Sequence, residues 1–180
     1  NNLNHILIDG ASNDRTVSIV RANAREGHTL ICEPDTGVYS AWNKGLDLCH
    51  DGWVMFLGAD DWLLGDTVIS EVMSRVRLCP TEPGYVSCGV LKEQSINGRN
   101  VSVRKYGWHV ATRRDGFLPV MPPHPGLLHS AALFKSHRFD ESYRACSDAK
   151  LFWSTVSTAS LQYVDKDVTH FSLGGITNRD

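Results

Sequence analysis

The sequence predicts a single α/β domain with a mixed, mostly parallel sheet flanked by helices, and three observations support this prediction. Short apolar runs alternate with amphipathic segments through residues 1–79, which is typical of a parallel sheet with helical crossovers. Residues 53–57 are apolar without polar alternation, as expected for a central parallel strand with both faces buried. The chain of 180 residues is 42% hydrophobic and 21% charged, the ordinary composition of one globular domain.

The elements of the first half follow from apolar runs, helical spacing and turn residues. Three short apolar runs predict strands, at 5–8, 29–32 and 53–57. Amphipathic spacing predicts three helices, one after the candidate cap Asp14, one over 38–49, and one over 68–76 after the candidate cap Asp66. Strands and helices therefore alternate regularly along this half.

The pattern changes after Pro80. Residues 85–91 and 100–105 are expected to form a β-hairpin through the turn Asn97-Gly98. Residues 116–125 hold four of the seven prolines and predict an irregular connection. The remaining predicted elements are a strand at 127–134, a helix at 148–158 and a strand at 161–171. We expect the halves 1–79 and 80–180 to form one domain.

Composition narrows the classes of function and the cellular location. A formal net charge of −2 gives no general attraction to nucleic acid, and no apolar run reaches the ~18–20 residues that cross a bilayer. The five cysteines include no CxxC pair, so we expect reduced thiols in a cytoplasmic protein rather than a zinc site. Residues 1–5 are polar and do not resemble a secretory signal.

Acidic residues follow two of the predicted parallel strands. Asp9 ends the first strand, and Asp60-Asp61 follow the strand at 53–57. The carboxyl ends of parallel strands meet at one edge of a sheet, where ligands bind, so these carboxylates are expected in one crevice. Carboxylate oxygens suit Mg²⁺ or Mn²⁺. The alternative is structural, because Asp-Asp before a helix is often a cap and Asp9-Gly10 is a common turn.

Five segments resemble the family 2 glycosyltransferases with the GT-A fold. Residues 33–45 are similar to the EPDxGxYDAMNKG stretch of a bacterial branch that builds capsular and exopolysaccharides. The similar segments occur in the family's order, at 9–16, 33–45, 53–61, 139–148 and 171–176. The resemblance runs from about residue 4 to residue 178 and implies a donor-binding half followed by an acceptor-side half.

The resemblance implies roles for four aspartates in an inverting transfer from a nucleotide-sugar. Asp9 would contact the base of the nucleotide, Asp60 the ribose and diphosphate, and Asp61 a Mn²⁺ or Mg²⁺ ion that stabilises the leaving diphosphate. Asp148 would be the general base for the acceptor hydroxyl, a contribution of typically about 10²–10⁴-fold. The alternative for Asp148 is a cap of the following helix.

Four further residues are weaker candidates. Asn43 and Lys44 are expected near the phosphates or sugar, although Lys44 is equally well explained as a solvated surface lysine. His124, in a Pro-Pro-His-Pro segment, matches a histidine common in this branch and would line the acceptor side, or simply bond to loop backbone. His170 would add a nitrogen ligand to the metal, although the chain has eight histidines and a lone one is usually not a ligand.

The family further implies a UDP-sugar donor and a glycan or lipid-linked acceptor. A lipid-linked acceptor would bring the protein to the inner face of the bacterial membrane, although no basic amphipathic helix stands out; the oligomeric state is left open. Family members begin with a strand and helix that have no counterpart before Asn4. Either the sequence is part of a longer chain, or another chain supplies that strand, and an unfilled slot would leave an exposed sheet edge.

Two other functions compete with this interpretation. A metal-dependent nucleotidyl- or phosphoryltransferase would also use an Asp pair at a strand end, but the sequence has no GxxxxGK[ST] phosphate loop. A degenerate domain that binds a nucleotide or glycan without turnover is the non-enzymatic alternative. Tight binding without turnover would favour the degenerate binding domain.

Overall fold

The computed structural model describes residues 3–96, 99–105, 114–115, 118–119 and 121–172. The strands are β1 (His5–Asp9), β2 (His28–Cys32), β3 (Trp53–Met55), β4 (Trp62–Leu63), β5 (Tyr85–Ile96), β6 (Arg99–Lys105), β7 (Arg114–Asp115), β8 (Leu118–Pro119), β9 (Leu127–Ser130) and β10 (Leu161–Phe171). The α-helices are α1 (Thr16–Ala22), α2 (Val38–Leu46), α3 (Val68–Val76) and α4 (Ser147–Thr155), and short 3₁₀ helices cover His124–Gly126 and Ala131–Lys135.

The strands form a mixed set of sheets. The main sheet has the order β3-β9-β5-β10-β4, with β6 paired to the second half of β5. Within it β5 and β10 run parallel and the other neighbours run antiparallel. Strands β1 and β2 form a separate parallel pair, and β7 and β8 a small antiparallel one. The predicted α/β class is confirmed. The expectation of a mostly parallel sheet is wrong, because among the described residues two strand pairs are parallel and five are antiparallel.

The main sheet lies between helices on its two faces. On one face, α2 and α4 pack with β3 in a cluster of buried residues: Tyr39, Leu46, Val54, Phe56, Ala131, Phe134, Phe139 and Leu151. On the other face, α3 packs against the central strands in a second cluster of buried residues: Val68, Val72, Val76, Val86, Cys88, Leu128, Val164 and Val168. Because helices occupy both faces, the central strands carry apolar side chains in both directions.

The prediction of a central parallel strand at 53–57 is wrong in its pairing. The strand is Trp53–Met55, it lies at the end of the main sheet, and it runs antiparallel to β9. Its two faces are covered as expected, since Val54 joins the α2 side and Trp53 packs on the α3 side. A continuous apolar run reports burial on both faces but carries no information about the direction of the neighbouring strand.

Two smaller predictions also need correction. The strand predicted at 127–134 ends at Ser130, where the chain turns into a 3₁₀ helix and the Ser130 hydroxyl accepts a hydrogen bond from the Ala132 amide. The cap position of α3 is Thr67 rather than Asp66, and its hydroxyl bonds to Glu71 instead of a backbone amide.

Most of the other predicted elements are confirmed. The final strand has the predicted bounds, and β5 pairs antiparallel with β6 as predicted for a hairpin. The predicted turn Asn97-Gly98 lies outside the described residues. The Asp14 carboxylate accepts a hydrogen bond from the Thr16 amide at the start of α1, but the cap position is Arg15, so the prediction of Asp14 as the cap is wrong by one residue. In the part of the chain that the structure describes, no helix has the length and apolar character needed to cross a membrane.

Candidate functional site

The acidic turn after β3 is tied to the end of β10. The Asp61 carboxylate accepts hydrogen bonds from the Gly58 amide at 3.0 Å and from the Ser172 amide at 3.2 Å. The Ser172 hydroxyl donates to the Asp60 carbonyl at 2.6 Å. A side chain at position 58 would meet both carboxylates, because a Cβ there would lie 3.0 Å from Asp61 Oδ2 and 3.1 Å from Asp60 Oδ1. Gly58 therefore lets the two carboxylates fold back on the turn.

The chemistry of this turn suits a divalent cation held jointly with a phosphate. Burial raises the pKa of Asp61, and a bound cation would favour its charged form. Among the residues described, no three His, Cys, Asp or Glu side chains are close enough together to hold a metal by themselves. Mg²⁺ is usually held by one or two carboxylates, with substrate phosphates and water completing the shell, and Asp60 and Asp61 fit that arrangement.

His170 lies beside the acidic turn on β10. It is the register partner of Trp62, and the two rings stack at 4.0 Å with an interplanar angle of 10°. Its Nε2 lies 3.3 Å from the Ser102 hydroxyl, while its buried Nδ1 has no partner among the described residues. A protonated His170 would lower the pKa of the Asp61 carboxyl. His170 is therefore near the predicted metal position, and its role as a ligand stays a prediction.

Asp9 ends β1 as predicted and lies in a tight turn. Its Oδ2 accepts a hydrogen bond from the Ser12 amide at 2.7 Å and faces the Cys32 thiol at 3.5 Å. The hydrogen bonds from Ser12 hold the pKa of Asp9 below its usual range. The Asp35 carboxylate packs against Gly10, so that a Cβ there would lie 2.7 Å from Asp35 Oδ2. No described contact joins Asp9 to the turn at residues 60–61.

Asn43 and Lys44 have structural partners within the chain. The Asn43 side chain bonds to the Phe139 backbone in both directions and donates to the Glu141 carboxylate, which ties α2 to the segment before α4. Lys44 donates to the Pro34 carbonyl at 2.7 Å and pairs with a carboxylate of the same loop, Glu33, at 3.0 Å. Their predicted contact with the donor stays a prediction.

Asp148 lies in the first turn of α4 rather than at the cap position, which is Cys146. Cys146 adopts a left-handed conformation, with φ of 69°, and turns the chain into the helix. The buried Ser147 hydroxyl accepts a hydrogen bond from the Asp140 amide at 2.7 Å. A negative charge in the first turn interacts favourably with the helix dipole. The alternative that Asp148 caps α4 is therefore wrong.

Tyr39 contacts the predicted general base, and the sequence analysis did not single it out. Its hydroxyl donates a hydrogen bond to Asp148 Oδ1 at 3.0 Å, and a cavity of about 490 Å³ opens beside it, lined also by Gly37, Glu141 and Arg144. Tyr39 lies three residues before Trp42 on α2, a spacing that places both side chains on one face of the helix. Only the fold brings it to a residue 109 positions later.

His124 lies in an aromatic cluster between α2 and β9. Its ring stacks on Trp42 with 4.8 Å between centroids and on Phe56 with 5.6 Å, and it meets His129 at 5.4 Å. Burial lowers the pKa of His124 to about 4 and that of His129 well below its usual value. Both rings are therefore neutral at physiological pH. His129 was not predicted, because a lone histidine in an apolar strand carries no distinguishing pattern.

Curated relatives of the chain are described as glycosyltransferases. Glycosyltransferases described as acting in PGL/p-HBAD biosynthesis, from Mycobacterium tuberculosis and Mycobacterium bovis, are 43% identical to the chain over 97 residues. The matched region is 52% of this chain and 37% of each relative. The match therefore covers well under half the length of these proteins.

Solved structures share the fold at low identity. TarS residues 1–349 of S. aureus in complex with UDP-GlcNAc superposes with a TM-score of 0.70 at 15% identity, over 94% of this chain and 49% of that one. The same protein in complex with UDP gives a TM-score of 0.67 over 94% and 51%. The arrangement of sheet and helices is thus that of the GT-A fold.

The family model named Glycosyl transferase family 2 matches residues 1–140, which is more than half of the sequence. That match includes the acidic turn at residues 60–61 and the loop around Asp9, and it agrees with the relatives and with the fold. The chain belongs to glycosyl transferase family 2.

Proposed function

We propose that the protein transfers a sugar from a UDP-sugar to a hydroxyl group of a glycan or lipid-linked acceptor, with inversion at the anomeric carbon. The observation that carries the proposal is the Asp60-Asp61 turn, which is held against the end of β10 by Ser172 in a chain of this family. The UDP-GlcNAc and UDP bound to TarS, a protein of the same fold, support a uridine nucleotide.

Donor binding is assigned to the acidic turn and the Asp9 loop. The half-buried Asp61 would hold a Mn²⁺ or Mg²⁺ ion together with the diphosphate, with Asp60 beside it and His170 as a candidate additional ligand. When bound, the ion would supply positive charge that stabilises the departing diphosphate. Asp9 would accept a hydrogen bond from the uracil, because its carboxylate is charged at neutral pH.

Acceptor activation is assigned to Asp148. In a single displacement, the acceptor oxygen attacks the anomeric carbon as the bond to the diphosphate breaks, and the acceptor proton passes to the Asp148 carboxylate. One displacement inverts the configuration, whereas retention by double displacement would need a carboxylate nucleophile. We assign the cavity beside Tyr39 and the His124 side of the aromatic cluster to the acceptor side, and place the reaction at the cytoplasmic face of a bacterial membrane.

The proposal is tested by calorimetric titration of the chain with UDP, with and without Mn²⁺. We expect UDP binding that strengthens with Mn²⁺ and that Asp61→Ala weakens by at least about tenfold, a loss of about 1.4 kcal/mol in binding free energy. Asp66→Ala is the matched control, since Asp66 is an exposed aspartate of the following loop, and its UDP affinity should equal that of the parent.

An assay of turnover distinguishes the proposed glycosyltransferase from a domain that only binds its ligand. Metal-dependent release of UDP from UDP-GlcNAc or UDP-glucose is expected, with loss in Asp61→Ala and Asp148→Asn. UDP binding that is equally tight without metal and unaffected by Asp61→Ala would contradict the assigned metal site. Tight metal-dependent binding without turnover of any UDP-sugar would instead favour a degenerate binding domain.

A further inference from the structure

We propose that Tyr39 is a positioning residue that orients the Asp148 carboxylate for proton transfer, so that Oδ1 is held by Tyr39 and Oδ2 receives the proton from the acceptor. This inference rests on the proposed function of Asp148 as general base. It adds a residue from α2, in the first half of the chain, to the acceptor-side chemistry of the second half.

The hydrogen bond is specific to one oxygen of the carboxylate. The Tyr39 hydroxyl donates to Asp148 Oδ1 at 3.0 Å, and no described residue donates to Oδ2. A carboxylate can rotate about its terminal torsion, which has broad rather than sharply staggered preferences. A hydrogen bond to one oxygen restricts that rotation and leaves the lone pairs of the other oxygen available to accept a proton.

The Tyr39 ring is itself held in place. It is only 5% exposed, stacks on Phe139 at 5.7 Å between centroids, and meets the Trp42 ring edge-on at 5.4 Å. Trp42 lies one turn along α2, and Phe139 precedes the loop that leads into α4. The ring contacts thus join the helix that carries Tyr39 to the segment that carries Asp148.

Tyr39 acts as a donor rather than as an acid or base. Burial, with the nearby Asp148 carboxylate, raises the pKa of Tyr39 to about 12. The hydroxyl therefore keeps its proton at neutral pH and can only donate to the charged carboxylate. On β9, His129 interacts electrostatically with Asp148 and is neutral because of its burial. Glu141 and Arg144 line the cavity beside Tyr39.

The test compares Tyr39→Phe with Tyr163→Phe. The Tyr163 hydroxyl also donates to an aspartate, Asp165 Oδ1, at 3.0 Å, but it lies on β10 away from Asp148, so it controls for loss of a Tyr–Asp hydrogen bond as such. UDP release from UDP-GlcNAc, with water as acceptor, is measured in both variants, in Asp148→Asn and in the double variant Tyr39→Phe/Asp148→Asn. Phenylalanine keeps the ring, and melting temperatures confirm that each variant is folded.

We expect Tyr39→Phe to lower kcat by about tenfold with KM for the donor within about twofold of the parent, since orientation affects the transition state rather than donor binding. The kcat of Tyr163→Phe should stay within about twofold of the parent value. Asp148→Asn should lose at least about 100-fold, and adding Tyr39→Phe to it should cost nothing more, because Tyr39 acts only through Asp148.

Distinct results would overturn the positioning role and the base assignment. If Asp148→Asn is inactive while Tyr39→Phe keeps the kcat of Tyr163→Phe, the base assignment stands and Tyr39 does not position it. If Tyr39→Phe lowers kcat equally with and without Asp148, Tyr39 acts independently of it. If Asp148→Asn keeps parental kcat, the assignment of the general base itself is overturned, and the positioning role with it.

Discussion

Asp140 connects the loop before α4 to the helix that carries the proposed base. Its carboxylate lies 2.5 Å from the Lys150 ammonium and accepts hydrogen bonds from the Ser142 amide and hydroxyl. Its amide donates to the buried Ser147 hydroxyl in the first turn of α4. The position of Asp148 therefore depends on the contacts of Asp140, which precedes α4.

This loop should make stability depend on pH in the acidic range. The hydrogen bond from Lys150, followed by those from Ser142, lowers the pKa of Asp140 from 3.8 to about 2. Because the folded-state pKa is depressed, the stabilisation is present above about pH 4 and is lost as the pH falls from about 4 to about 2. Asp140→Asn should therefore lower the melting temperature at pH 6, and the difference from the parent should shrink toward pH 2.

Melting curves of the parent, Asp140→Asn and Asp51→Asn at pH 6, 4, 3 and 2 check this expectation. Asp51 is exposed in the turn before β3, so its variant controls for the general loss of a negative charge. A difference between parent and Asp140→Asn that stays constant from pH 6 to pH 2 would contradict a role for the Asp140 charge.

Single residues of the site differ in how far the sequence predicts them. Asp61 and Asp148 were predicted from short sequence motifs. The structure places Asp61 in a hydrogen-bonded turn and Asp148 in the first turn of α4. The pairing of Tyr39 with Asp148 depends on how α2 packs against α4, which no local pattern encodes. Likewise, the sequence marks Asn43 as a site residue but does not reveal that its amide joins α2 to Phe139.

At the scale of elements, the segment that leads into β9 is packed directly against β5. A Cβ on Gly126 would lie 2.7 Å from Val90 Cγ1 and 2.9 Å from the Cys88 carbonyl oxygen. The carbonyl belongs to a central strand and cannot move without disturbing the sheet. Any side chain at position 126 therefore forces the His124–Gly126 turn away from β5.

Gly126→Ala is accordingly expected to destabilise the protein by about 1–3 kcal/mol, the usual cost of overpacking a well-packed interior. Gly45→Ala is the matched control, because its Cβ would lie 3.6 Å from Ile8 Cγ1, an ordinary contact, and alanine favours the helix by about 1 kcal/mol over glycine. In urea unfolding, the free energy of unfolding of Gly45→Ala should equal or exceed that of the parent, and that of Gly126→Ala should be lower. The reverse order would contradict the packing argument.

The type and place of most elements could be predicted, as could the pairing of β5 with β6, while the pairing of β3 could not. The strand at 161–171 has clear bounds because Ser160 precedes it and the segment Ser172-Leu173-Gly174-Gly175 follows it, and serine and glycine are typical of turns. The direction of β3 was missed because burial on both faces is compatible with either a parallel or an antiparallel neighbour. The end of β9 was missed because residues 131–134 stay apolar through a change from strand to 3₁₀ helix, and packing rather than polarity decides that change.

At the scale of the whole molecule, the described chain divides into a well-packed part and a lightly packed part. Only Asp9 is buried among the residues of β1 and β2, and α1 buries none. By contrast, all four residues of β9 are buried. Among the described residues β1 pairs with β2 alone, so its other edge is free of a strand partner.

Hydrogen exchange should reveal this division. Regions with few buried apolar contacts open locally at low free-energy cost, whereas core strands exchange through global unfolding. We therefore expect amides of β1 and β2 to exchange at least about tenfold faster than those of β5, β9 and β10, and to slow when UDP and Mn²⁺ engage the Asp9 loop. Exchange mass spectrometry on the free and UDP-bound chain measures both effects. Equal protection in the two parts would mean that the β1–β2 pair unfolds together with the main sheet, and the light packing of its residues would then not govern its stability.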